Sequence, residues 1–370
     1  MNKKVFILTH PLTGNYGGLL QAYASYTALS NLAYTPYIYR YIPNDLPMGA
    51  RAWLNYFKGH LKYLLGRSKN ANTMWRRLQI SRKFQKGLRV YKETHPAPQG
   101  NNISYVVGSD QVWRAIYCRM MKTPAYYFLN FATPEQRRKS IAYSASFGVD
   151  HWEGTPEETE ECKRLLQEFK AVSVREHSGV DICREVFGVE AVQMPDPTLL
   201  LQKEEYGELI AKEKTWAPAT PFLASYVLDE NPETLNQLRT YAQGLHVTLQ
   251  HLLPHAGAAQ RRDRFAHTVG QWLRLIRDAK YFITDSFHGC AFAIIFNKPF
   301  VCLGNEKRGS ARFDSLLGTF GLKDRLVTRP EHDTILRILN TPVDWEQVNA
   351  IRRSEQARAL EFLRHNLATV

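Results

Sequence analysis

Asp285, Ser286 and His288 place an acid, a hydroxyl and an imidazole between two apolar runs, 281–283 and 291–296. An imidazole titrates near neutrality, so His288 has the pKa for proton transfer. The plainer reading is a histidine packed in a core. Its place in a turn between a strand and a helix favours chemistry.

Three other polar islands interrupt apolar segments. "GNYGGLLQ" (14–21) brings Gly14, Gly17 and Gly18 to the start of a helix, whose free N–H groups and dipole suit an anion. Its spacing matches neither GxGxxG nor a phosphate-binding P-loop, so it carries no nucleotide fingerprint, and a turn that needs glycine is the alternative. In "VVGSDQVWR" (106–114), Asp110 stands just past a strand and is either a proton-transfer group or a helix N-cap. In "VSVREHSG" (172–179), Arg175 ends a buried strand. A planar guanidinium there can hold a carboxylate or phosphate bidentately, or it pairs with Glu176 or another acid. "NEKRGSARF" (305–313) adds Lys307, Arg308 and Arg312, a second anion clamp or ordinary surface charge. No GxSxG, HExxH or metal-ligand spacing occurs, and a DxD in an apolar context is also absent.

Strands are expected at 3–9, 34–41, 103–110, 140–148, 171–176 and 190–201. A second series follows at 221–228, 245–250, 281–285 and 299–304, with helices at 232–243, 268–278 and 289–297 in between. Thr155, Pro156 and Glu158 form a capping box that opens another helix. Strands alternating with helices imply parallel sheets. The fold class is therefore α/β, with two Rossmann-like domains facing a cleft. The first domain spans 1–201 and carries a basic helical insertion at about 50–92. The second spans 202–343, and a long helix fills 344–370. Ligands of open α/β sheets bind outside the carboxyl ends of the strands, where all these islands fall.

The chain has 370 residues, 44% hydrophobic and 22% charged, which suits a globular protein of two domains. Five scattered cysteines without a CxxC pair suit a reducing cytoplasm rather than a disulfide framework or zinc site. No apolar run approaches the roughly 20 residues of a membrane span, and the first is too short for a signal-peptide core. The net charge of +13 is localised: residues 46–92 hold 12 Lys or Arg and no acid, and the remainder has 36 basic against 35 acidic residues. Helical spacing at Leu54, Phe57, Leu61, Leu64 and Leu65 is followed by a weaker stripe at Ile80, Phe84, Leu88 and Tyr91.

In order along the chain, "GNYGGLLQAYA", "VVGSDQVWR", "SVRE", "DPTLLL", "TDSFHGCAFAIIFNKPFV" and "RFDSLLGTFGL" resemble the polysaccharide pyruvyl transferase family, over about 12–325. The resemblance implies a glycosyltransferase B-like fold. It implies transfer of a pyruvyl group from phosphoenolpyruvate onto two hydroxyls of a hexose, giving a ketal and phosphate, in bacterial capsule or exopolysaccharide synthesis. His288 matches the family histidine and would be the general acid. Asp110 would be the base, the two roles being exchangeable, and Arg175 would hold the donor. Ser286, Phe287, Gly289, Lys307, Arg308 and Arg312 join the binding set. Some relatives carry an acid where this chain has Gly18, so Asn15, Gly17, Gly18 and Gln21 are assigned to binding. Asp285 is expected to cap the helix or orient the turn. No metal or cofactor is needed beyond the donor.

The family's acceptors, often sugars on a polyprenyl diphosphate carrier, give the basic segment a partner. Trp53, Phe57, Lys58, Lys62, Trp75, Arg76 and Arg77 would meet an anionic bilayer, placing the protein in the cytoplasm against the inner face of the cell membrane. A solvated helical hairpin is the alternative. Nucleic acid is not an expected partner, since the patch lacks a known motif. The rival functions are a nucleotide-sugar transferase of the same fold and a non-catalytic membrane- or anion-binding module.

Overall fold

The computed structural model describes residues 3–12, 14–40, 71–92, 98, 103–121, 123–254, 263, 266–304 and 311–367. Two all-parallel sheets organise them. The first contains β1 (Lys4–Leu8), β2 (Thr35–Arg40), β3 (Val90–Lys92), β4 (Ile103–Val107), β5 (Ile141–Ala145), β6 (Ala171–Val174) and β7 (Val192–Gln193), in the order β3-β2-β1-β4-β5-β6-β7. The second contains β8 (Phe222–Tyr226), β9 (Thr248–His251), β10 (Tyr281–Thr284), β11 (Phe300–Leu303) and β12 (Leu326–Val327), in the order β12-β11-β10-β8-β9. These are two Rossmann-like units. β4 and β5 are buried along their whole length, as parallel strands covered on both faces must be.

Strand order reverses between β1 and β4 in one sheet and between β8 and β10 in the other. Each reversal opens a crevice at the carboxyl edge, because the flanking helices leave in opposite directions. Val107 pairs with Leu8, so the turns after β1 and β4 lie side by side. Thr284 pairs with Tyr226, which does the same for β8 and β10.

One core runs between the halves. Tyr16, Leu19, Leu20 and Ala24 of the helix Tyr16–Asn31 pack with Trp272, Phe287, Phe292 and their neighbours from the second half. Tyr16 stacks on Trp272 at 5.3 Å and donates a hydrogen bond to the His267 carbonyl. The helix Trp345–Leu367 returns to the first sheet, where Ala359, Leu363 and Leu367 cover Val5, Ile7 and Ile141.

Three expectations change. The segment 190–201 forms only the two-residue β7, because Pro195 and Pro197 withhold N–H donors and fix φ; Pro197–Leu200 is a 3-10 turn capped by Asp196. The basic segment is not helical to residue 92. The helix Ala71–Gln85 ends two residues before Gly87, and Tyr91 lies in β3, at the edge of the first sheet. Arg76 and Arg77 do not face outward. Arg76 Nε donates to the Ala266 carbonyl at 2.6 Å, and Arg77 is half-buried against Gly14. Trp53, Phe57, Lys58 and Lys62, like Lys307 and Arg308, lie outside the described residues, as does the side chain of Trp75.

Candidate active site

The turn after β10 is built locally. Ser286 caps the helix Phe287–Ile295 by accepting from Gly289 N, while Thr284 Oγ1 receives Ser286 N and donates to the Tyr226 carbonyl. Gly289 fits because a Cβ there would run into the Thr284 side chain. Asp285 leaves the cap to Ser286. Its two carboxylate oxygens accept from Leu228 N (2.7 Å) and Asp229 N (3.1 Å), which ties the β8 turn to the β10 turn. This is the orienting role expected for it. His288 follows in the first turn of the helix, buried, with its ring against Gly17 of the first half. A Cβ at Gly17 would overlap that ring, so glycine is what lets the two halves approach here.

Across the crevice, Asp110 sits in a left-handed conformation, φ 71°, after a cis Gly108–Ser109 peptide. Such a conformation persists only where surrounding bonds enforce it. Gln21 supplies them: its amide nitrogen donates to Thr9 Oγ1 and the Gly18 carbonyl, and its oxygen accepts from Ser109 N. Thr9 Oγ1 also donates to the Ser109 carbonyl at 2.9 Å. Gln21 is fully buried and committed within the chain, so it positions the Asp110 turn instead of meeting a ligand. Among the described residues Asp110 caps no helix. Its Oδ1 accepts from the neighbouring Gln111 N, and the next helix starts at Ala115 with Arg114 as N-cap. Asn15 caps the first helix through Gly17 N, while a Cβ at Gly18 would make ordinary contacts with the Asn15 side chain and, at 3.9 Å, with Asp110 Oδ2.

Arg175 meets Asp196, not Glu176. Its Nη1 lies 2.9 Å from Asp196 Oδ2, and its Nη2 lies 3.8 Å from Asp110 Oδ1. Glu176 instead accepts from Ser146 Oγ and from the Phe147 and Gly148 N–H groups. The Arg175 guanidinium stacks 4.3 Å from the Phe287 ring of the second half, a cation–π contact. Its Nε and Nη2 are buried and make no hydrogen bond among the described residues. Asp196 also accepts from Ser109 Oγ and from Thr198, and His288 Nε2 stands 3.6 Å from its Oδ2. That distance attracts a protonated ring but is too long for a hydrogen bond.

Charge follows from this packing. Burial alone would push the Asp196 carboxyl up. The positive charges of His288 and Arg175 outweigh it and hold the group well below the usual carboxylate range. Burial likewise opposes ionisation of Asp110, yet His10, Arg175, His288 and Arg312 together keep its carboxyl below its ordinary value. Burial, reinforced by the like charge of Arg175, lowers buried Arg312 to about 10, and it stays a cation at neutral pH.

The structure thus brings His288, Asp110, Arg175, Phe287 and Arg312 together. Sequence reasoning missed two members, Asp196 and His10. Asp196 lies in the "PDP" of 195–197, and its flanking prolines were the available signal for a rigid strand exit. His10 lies two residues past the first strand, the same turn position in the α/β unit that drew attention elsewhere.

Two parallel α/β units gather charged groups at both strand-order reversals, where proteins of this architecture bind their ligands. The family model "Polysaccharide pyruvyl transferase" matches residues 15–307, and the chain belongs to that family. Among solved structures, a functionally uncharacterised protein from Klebsiella pneumoniae aligns at 10% identity and TM-score 0.49, over 89% of this chain and 93% of that one. Arabidopsis thaliana UGT89C1 complexed with UDP aligns at 9% identity and TM-score 0.48, over the full length of both. UDP-N-acetylglucosamine 2-epimerase from Rickettsia bellii aligns at 12% identity and TM-score 0.46, over 98% of each. These likenesses carry no functional weight. No curated protein matches the chain at a significant level.

Proposed function

We propose that the protein transfers a pyruvyl group from phosphoenolpyruvate to two hydroxyls of a hexose in a glycan, forming a cyclic ketal and releasing phosphate. The observation that carries the donor is Arg175: a buried cation whose Nε and Nη2 have no hydrogen-bond partner among the described residues, beside a second buried cation, Arg312. Unpaired buried N–H groups are costly, and a carboxylate or phosphate satisfies them bidentately.

In this reading His288 donates the proton that converts the donor methylene to a methyl group. Asp110, across the crevice, engages an acceptor hydroxyl. Asp196 holds Arg175 and attracts the protonated His288 ring, so it positions both without touching substrate. No resident cofactor takes part. The cavity beside Arg175, Asp196 and Phe287 measures only about 10 Å³, room for roughly one water. In this reading the donor enters as the side chains lining that cavity move apart, which loosens the contact of Arg175 with Phe287.

Lipid linkage of the acceptor and docking on an anionic membrane remain part of the proposal. Among the described residues no helix is long and apolar enough to cross a membrane. The exposed cations Arg82, Lys83 and Lys86 support surface docking.

The test is to incubate the protein with phosphoenolpyruvate and a panel of free and lipid-linked hexosides. Phosphate release matched by a pyruvyl mass gain on one acceptor is expected. A lack of mass gain across the panel, with no thermal stabilisation by the donor, overturns the reading; stabilisation by nucleotide sugars instead would favour the rival transferase.

A further inference from the structure

Ketal formation handles two hydroxyl protons. The first hydroxyl loses its proton as its oxygen bonds to C2 of the donor, and the C2=C3 electron pair takes a proton at C3 to become methyl. The second hydroxyl loses its proton as its oxygen bonds to C2 and the C2–O bond to phosphate breaks, the pair leaving with phosphate. One of the two protons ends on the methyl group and the other on phosphate. A single carboxylate held below its ordinary pKa is a weak base for both steps.

His10 lies where a second base would be needed. It lies two residues past β1, and Gly108 N donates to the Leu8 carbonyl while Thr9 Oγ1 donates to the Ser109 carbonyl, so the turns that carry His10 and Asp110 start from one paired edge. Its ring is wedged edge-on against Tyr117 (5.2 Å) and Tyr127 (5.4 Å). Nδ1 lies 3.2 Å from Tyr127 Oη, which in turn lies 3.5 Å from Met121 Sδ. When the single phenol hydrogen points to sulfur, Nδ1–H donates to the phenol oxygen and the lone pair falls on Nε2. Nε2 is buried and has no hydrogen-bond partner among the described residues. A buried, unpaired ring nitrogen at a sheet's carboxyl edge is costly unless a ligand uses it.

We infer, resting on the function proposed above, that His10 is a second proton-transfer group on the acceptor side, working beside Asp110 on one of the two hydroxyls. The charged groups bearing on it are Asp110 and Arg175; the titratable rings against it are Tyr117 and Tyr127. Burial lowers its pKa from 6.5 more than Asp110 and the Gln111 backbone raise it, with Arg175 lowering it further, so the ring is neutral and able to accept a proton at pH 7.

The test compares pH–rate profiles of the wild type, His10→Gln, His10→Asn and Asp110→Asn, with melting midpoints for each. Asn preserves a partner for Tyr127, so one variant should fold even if the other does not. Loss of His10 should lower kcat by roughly 100- to 10,000-fold, leave the donor KM within about threefold, and erase the acidic limb of the profile. Asp110→Asn should move that limb to lower pH, because its charge favours the protonated ring. Nitrogen-15 histidine NMR of the resting protein should record the same downward shift of His10 without turnover. A folded His10 variant with wild-type kcat, or an unchanged acidic limb, overturns this inference alone. An inactive wild type sinks both this inference and the function it rests on.

Discussion

The two edges of the crevice are built from different materials. On the first half, polar groups are interlocked: Gln21, Thr9 and Ser109 fix the turn that carries Asp110, and Ser109 also reaches Asp196, which binds Arg175. On the second half, His288 rises from a helix whose nine residues are all buried, and its Nε2 makes no hydrogen bond among the described residues. Charge is held by a network on one side, and an imidazole stands on an apolar scaffold on the other. Under the proposed function this division separates binding from proton transfer, because a charge network resists the rearrangement that a proton carrier needs. Asp196 and His288, 3.6 Å apart, are where the two edges meet.

Removing the network's hub should have the largest effect. Asp196→Ala leaves buried Arg175 with only its longer contact to Asp110, and should cost roughly 3–5 kcal/mol in urea unfolding along with turnover. His288→Ala should instead lower kcat by about 100- to 10,000-fold while the urea midpoint falls far less. Equal losses of stability in the two variants would erase the contrast between the edges. Next is Gly17→Ala, whose Cβ meets the His288 ring; overpacking of this kind costs roughly 1–3 kcal/mol and should lower kcat by parting the halves.

Acid should act on the first edge in two stages. His10 has a folded pKa below its unfolded 6.5, so its contribution to stability begins to fall as pH drops through that value. Asp110 and Asp196 also have folded values below their unfolded ones, so theirs is complete above about pH 5 and lost as pH falls further. Urea midpoints against pH should show both stages, with Asp196→Asn reducing only the lower. The smallest effect per residue is expected far from the crevice. Replacing Arg82, Lys83 or Lys86 by Gln should weaken binding to anionic vesicles by about 1 kcal/mol each, with stability changing by at most about 0.5 kcal/mol.

Much of the second edge was legible in residues 281–300, because strand, turn, cap and helix there follow from neighbours in sequence. Ser286 and Gly289 behave as their types predict, and Asp285 orients the turn. The first edge was harder to read. Asp110 looked like an N-cap because acids after strands often are, and only the bonds from Thr9 and Gln21 reveal a turn held in place. Arg175 offered Glu176 as a neighbour, yet its partner is Asp196, 21 positions away. The stripe through Leu88 and Tyr91 suggested continued helix, but pairing with β2 overrode local spacing.

The sequence by itself determined the alternation of strands and helices, the polar islands at strand ends and the acid-free basic segment. Periodicity and composition act over a few residues, so they can be read without a fold. Tertiary structure alone decided that Gly17 makes room for His288, that Asp196 joins Arg175 to the opposite half, and that His10 stands beside Asp110. Those meetings depend on strand order and on how closely two buried surfaces approach, and neither is written in local spacing.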